Sequence, residues 1–90
     1  MLHYVYVLES KTDQNHYVGC TTDIKKRLEQ HNQGKNFSTS HRRPFSLIYC
    51  EVFRNQTDAY SREKFLKTGW GRRFLSKILK NYNHSKKFGG

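Results

Sequence analysis

The ninety residues predict a single α+β domain, a small three-stranded antiparallel sheet with helices packed on it in the order β-β-α-β-α-α. Three observations carry that expectation. Two short runs of alternating apolar residues flank a polar turn, as in a hairpin. The run Phe45–Phe53 is the most β-prone of the chain. The remaining apolar residues recur at helical spacing behind Thr, Asp or Asn, the side chains that start helices.

In His3–Ser10, Tyr4, Tyr6 and Leu8 fall on one face and His3, Val5, Val7 and Glu9 on the other. Lys11–Asn15 is a polar turn, and His16–Thr21 reads as the returning strand. Thr22-Asp23 opens a first helix carrying Ile24 and Leu28, and Gly34 stops it with a left-handed residue. Lys35–Pro44 has only Phe37 as a large apolar residue and reads as a loop. Phe45–Phe53 is the third strand. Asn55–Asp58 turns and caps a second helix over Ala59–Thr68, which Gly69 should stop. A third helix spans about Arg72–Tyr82, with Phe74, Leu75, Ile78, Leu79 and Tyr82 as its apolar stripe. The domain is expected over residues 1–82, with 83–90 a polar, basic tail that frays.

A net charge of +10 on so short a chain attracts polyanions, of which nucleic acid is the commonest for such a domain. A solvated basic face is the plainer reading of the same charge. No apolar run approaches the roughly 20 residues of a spanning helix, and the N-terminus lacks the apolar region of a signal peptide. The expected partner is therefore not a membrane, and the expected place is the cytosol. Cys20 and Cys50 lack the spacing of a zinc site and read as small buried residues rather than a disulfide.

Several residues suit phosphodiester chemistry. Tyr6 and Tyr17 sit on paired strands. Arg27 and His31 are i, i+4 on one helix and so lie side by side. Glu63 is one of only seven acidic residues and stands between Arg62 and Lys64. An arginine fork can hold phosphoryl oxygens, a carboxylate can hold a divalent ion, and a Tyr or His can take a proton from water. Each also has an ordinary structural reading: core tyrosines, a surface Arg/His pair, a salt-bridged Glu.

Motifs in series narrow the choice. Tyr4-Val5-Tyr6-Val7-Leu8 is followed by Tyr17-Val18-Gly19. Next comes Thr22-Asp23-Ile24-Lys25-Lys26-Arg27-Leu28, with His31-Asn32 and Gly34 behind it. Arg43-Pro44-Phe45, Leu47-Ile48-Tyr49 and Ala59-Tyr60 lead to Arg62-Glu63-Lys64. This series resembles the GIY-YIG nuclease family over about residues 2–80. It is most similar to the small stand-alone bacterial members, and next to the nuclease module of the bacterial excision-repair subunit, which brings DNA repair into view. Tyr4 and Val5 stand where the first motif of the family has glycine and isoleucine, and Asn81 lies near the distance at which many members carry an active-site asparagine. The resemblance implies that Tyr6, Tyr17, Arg27 and His31 are catalytic and that Glu63 binds one Mg²⁺ or Mn²⁺ ion. It implies a hydrolase, an endonuclease acting on DNA.

Which of Tyr6, Tyr17 and His31 would be the base stays open. With no appended recognition domain, binding should fall on phosphates with weak sequence preference, through Lys25, Lys26, Arg42, Arg43, Arg72 and Arg73. Single strands, branched junctions and nicked duplexes all fit. The loop holding Arg42 and Arg43 should lie beside the active site, because it joins the Arg27/His31 helix to the third strand. A non-catalytic nucleic-acid-binding module and a partner in a larger repair assembly are the rival readings.

Overall fold

The computed structural model describes residues 1–87. Strands β1 (His3–Ser10), β2 (His16–Thr21) and β3 (Phe45–Phe53) form one antiparallel sheet in the order β2-β1-β3. Helix α1 (Ile24–Asn32) joins β2 to β3. Helices α2 (Gln56–Leu66), α3 (Gly69–Ile78) and α4 (Lys80–Lys87) follow β3. The order is thus β-β-α-β-α-α-α, the expected α+β architecture with one more helix.

β1 is central, and its alternation buries both of its faces. Val5 and Val7 meet Val18, Ala59, Leu66, Leu75 and Leu79, so α2 and α3 cover that side. Tyr6 and Leu8 meet Phe45, with Ile24 and Leu28 of α1 against them. Burying such a side chain contributes about 1.5–3 kcal/mol, so the two clusters share the stabilisation of a small sheet. Register decides which residues share a face. Tyr6 pairs with Gly19 on one side and Cys50 on the other, while Val5 pairs with Cys20 and Glu51. A bulge between Val7 and Leu8 leaves Ile48 as the extra residue of β3 and turns it toward the α2/α3 core.

The helix starts follow from their caps. Asp23 accepts from the Lys26 amide and Asn55 from the Asp58 amide, each bond contributing about 1 kcal/mol. Several boundaries differ from the sequence reading, and α2 starts at Gln56 rather than Ala59, because Asn55 itself is the cap. α2 ends at Leu66, because the Thr68 hydroxyl caps α3 by accepting from the Gly71 amide. Gly69 is therefore the first residue of a helix rather than a stop. The stripe read as one helix over residues 72–82 breaks at Leu79 into α3 and α4. α4 also runs through residues 83–87, which the sequence reading placed in the tail; residues 88–90 lie outside the described residues. The cause is Glu9, a buried carboxylate at the end of β1 that accepts from the Tyr82 hydroxyl at 2.7 Å and pairs with Lys86. These partners hold its carboxyl below the usual range although burial pushes the other way. Cys20 and Cys50 are both free and half-buried, and burial raises both thiols. No helix among the described residues is long and apolar enough to cross a membrane.

Candidate active site

The site lies on the α1 side of the sheet. Gly19 opposes Tyr6 in the hairpin, and the phenol lies across it: a methyl at Gly19 would stand 2.5 Å from Cζ of Tyr6 and closer still to the hydroxyl. No larger residue lets the ring lie there. The hydroxyl meets Nε2 of His31 at 3.2 Å, and Nδ1 of His31 meets the Thr39 hydroxyl at 2.9 Å. Tyr6 is 1% exposed and His31 0%. The Tyr17 ring stands edge-on to His31 with centroids 4.8 Å apart, and Phe45 closes the far side at 5.7 Å.

One arrangement of protons satisfies all three contacts. The Thr39 hydroxyl leans on the Asn36 carbonyl at 3.4 Å, which leaves its oxygen to accept from Nδ1–H of His31. Nε2 then accepts from the Tyr6 hydroxyl. Burial, reinforced by Arg27, holds the imidazole pKa below its ordinary 6.5 and keeps the ring neutral. Burial first, then Tyr17 and Glu63, push the Tyr6 phenol up to about 12, while the charge of Arg27 opposes them. Tyr6 therefore keeps its proton unless a neighbour accepts it, and the neighbour in place is His31.

Arg27 and Glu63 come from opposite sides of the sheet. Yet both charges are felt at the Tyr6 hydroxyl and at Cys20, with opposite signs. Their neighbourhoods converge at β2. Arg27 is half-buried on α1 and lines a cleft of about 390 Å³ with Gln30, His31, Lys35, Asn36 and Phe37. Glu63 is half-buried on α2 and pairs with Lys67 one turn later at 3.0 Å. It is the residue that suits a divalent ion. Mg²⁺ takes oxygen ligands and keeps several waters, so one half-exposed carboxylate fits it. Among the described residues no three or more His, Cys, Asp or Glu gather into a closed cage.

The structure thus brings Tyr6, Tyr17, Arg27 and His31 together and sets Glu63 within electrostatic reach. Of the basic residues, Lys25 and Lys26 are exposed on α1, and Arg72 and Arg73 on α3. The Arg73 guanidinium lies 4.7 Å from the Trp70 ring centroid. Arg72 lines a second cleft of about 670 Å³ with His16, Tyr17 and Lys67. Arg43 is exposed and its guanidinium lies over Gly34, which has φ +77° and stops α1 as expected. Arg42 is engaged otherwise than expected. It donates to Asp13 at 2.7 Å, stands over the Phe45 ring, and its carbonyl accepts from the buried Ser10 hydroxyl. Its fork is spent on tying the loop to the β1–β2 turn. That tie holds Asp13 down to a pKa of about 2. The loop 35–44 does border the site, through Lys35, Asn36, Phe37 and Thr39.

Two residues were missed by the sequence reading. Thr39 orients His31 from eight positions away, and no local signal marks it. Asn32 holds both the amide and the carbonyl of Phe45, at 2.7 and 3.0 Å, and so fixes α1 against β3; its place beside His31 in the motif was the available signal.

Comparison with known proteins agrees with this fold. The GIY-YIG catalytic domain model matches residues 2–84. UPF0213 proteins of Streptococcus pyogenes, from strain Manfredo and from serotype M1, are each 49% identical over 65 residues, covering 71% of this chain and 70% of theirs. The UPF0213 protein of Bacillus halodurans, solved by solution NMR, is similar with a TM-score of 0.55 and 34% identity, over 87% of this chain and 85% of that one. Matched by that model over residues 2–84, the chain belongs to the GIY-YIG family, among relatives of the UPF0213 kind.

Proposed function

We propose that the protein is a metal-dependent endonuclease that hydrolyses phosphodiester bonds in DNA with little sequence preference. One observation carries the reading. A buried phenol is hydrogen-bonded to a buried imidazole at 3.2 Å, and the charges of an arginine and a carboxylate reach that same phenol. A merely structural tyrosine needs one partner; this one has an acceptor behind it and opposite charges around it.

In this reading Arg27 holds the non-bridging oxygens of the scissile phosphate and stabilises the charge that grows there. Tyr6 orients the attacking water through its oxygen. As the water loses a proton to Tyr6, the phenolic proton passes to Nε2 of His31, so the imidazole is the final acceptor and Tyr6 the relay. Tyr17 packs against the imidazole and limits its access to solvent. Glu63 would hold one Mg²⁺ or Mn²⁺ ion, which supplies Lewis-acid support to the phosphate and the leaving oxygen. Thr39 keeps His31 in the tautomer that leaves Nε2 open.

The test is a cleavage panel of single-stranded, duplex and branched DNA and RNA with Mg²⁺, Mn²⁺ or EDTA, for wild type and Glu63→Ala. Cleavage that needs a divalent ion and disappears in the variant, with binding retained, supports the reading. Salt-sensitive binding without cleavage of any substrate would replace it with a non-catalytic binding module. Glu63→Ala cleaving within a few-fold of wild type would make Glu63 only the partner of Lys67.

A further inference from the structure

Phe37 is 92% exposed, at the rim of the same cleft that Arg27 and His31 line. Its exposure is not that of a loose loop. Behind Gly34, the Lys35 amide donates to the Gln30 carbonyl at 3.1 Å. The Asn36 side chain accepts from the Ser38 amide and hydroxyl, at 3.2 and 2.8 Å. The Thr39 amide donates to the Asn36 carbonyl, and the Thr39 hydroxyl is fixed on buried His31. The turn is tied at both ends and across its middle, and Phe37 stands at its apex. Such a turn holds a large apolar ring in water beside the site.

The other walls say what the ring suits. Arg27 and Lys35 bring two cations, neither in an ion pair among the described residues. Gln30 and Asn36 bring amides that can meet the edge of a base. About 390 Å³ is a small ligand cleft, sized for one nucleotide rather than a groove of duplex. A planar aromatic face beside phosphate-binding cations is the arrangement by which proteins stack the bases of single strands. A base inside a duplex has both faces covered by its neighbours and cannot use such a ring.

We infer that Phe37 is a base-stacking residue, holding one unpaired nucleobase next to the phosphate at Arg27 and so directing the protein to single-stranded nucleic acid. The inference rests on the endonuclease reading and names its substrate class. It gives the loop 35–39 two tasks: Thr39 sets the proton acceptor, and two residues earlier Phe37 sets the strand.

The probe is a short single-stranded DNA with 2-aminopurine at one position, and the same sequence as a blunt duplex, titrated in EDTA. Wild type, Phe37→Ala and Phe37→Trp are compared, with cleavage followed in parallel in Mg²⁺. Wild type should bind the single strand more tightly and quench the fluorophore by stacking. Phe37→Ala should weaken single-strand binding about 5- to 100-fold and lose the quench, with duplex binding changed less than about twofold. Phe37→Trp should restore both. The unfolding midpoint should not move, since the ring covers no core. If Phe37→Ala binds the single strand as wild type does, the ring serves another contact, such as a protein partner; the inference falls, and the endonuclease reading stands wherever cleavage persists. Wild type that neither binds nor cleaves any strand overturns both.

Discussion

Replacing Gly19 by Ala tests the site through its geometry without touching a reacting group. The backbone there is an ordinary strand and accepts alanine. The new methyl would stand 2.5 Å from Cζ of Tyr6, where unstrained contacts begin near 3.4 Å. The phenol must therefore shift by about 1 Å, out of its 3.2 Å contact with His31. A displacement of that size at a reacting group costs about 10²-fold in rate. Overpacking a tight site costs about 1–3 kcal/mol of stability, and each kcal/mol lowers the midpoint of a domain this small by about 4–8 °C. Single-turnover cleavage and thermal unfolding measure the two effects. Adding Tyr6→Phe to Gly19→Ala should recover part of the stability, because the nearest clashing atom is gone, and none of the rate. Gly19→Ala cleaving within threefold of wild type would refute the argument, because the phenol would then not need its observed place.

Arg27→Ala should lower kcat by about 10² or more with a smaller loss of binding, and Lys should rescue poorly for want of the bidentate fork; equal losses of binding and rate would make Arg27 a plain phosphate contact. The pH profile follows from His31. The acceptor is lost only as pH falls through a value held below 6.5, so kcat/KM should stay flat through pH 6.5 and drop below it; an acid limb centred above 6.5 would exclude the buried imidazole. Stability should weaken in the same direction, because the unfolded imidazole binds its proton near 6.5 and the folded one only at lower pH. Arg42→Ala and Arg43→Ala should part company. Arg43→Ala should reduce the slope of log K against log salt by about one, whereas Arg42→Ala should leave the slope alone and lower the unfolding midpoint. In wild type the stabilisation from the Asp13–Arg42 pair is complete above pH 4 and fades as pH falls toward 2.

The parts of this fold that were legible in the sequence are those governed by neighbours along the chain. Alternation located β1, the polar turn behind it β2 and β-propensity β3, while Asp23 and Gly34 marked the ends of α1, because period, propensity and caps are local properties. The meeting of Tyr6, Tyr17, Arg27 and His31 was legible through motif spacing, since one hairpin and one helix bring them together. What escaped depends on distant partners. Nothing near Glu9 announces that Tyr82 and Lys86 will cover it, and so α4 went unread. Nothing near Arg42 announces Asp13, 29 residues before it. At Thr68 two local signals competed, and a hydroxyl that caps the next helix outweighed a glycine that looked like a stop.

The burial of Tyr6, His31 and Phe45 has a consequence for reading lineages. Tyr6 and Phe45 belong to the smaller core cluster, and His31 is buried against both, so packing would preserve all three in a descendant that had lost all chemistry. Their persistence in a relative speaks for the fold. Arg27 and Glu63 carry no such obligation: half-exposed and on opposite helices, they are held, on the proposed function, only by the phosphate chemistry assigned to them. A relative that keeps both has been held to its trade, whereas one that keeps only the buried trio has kept its shape.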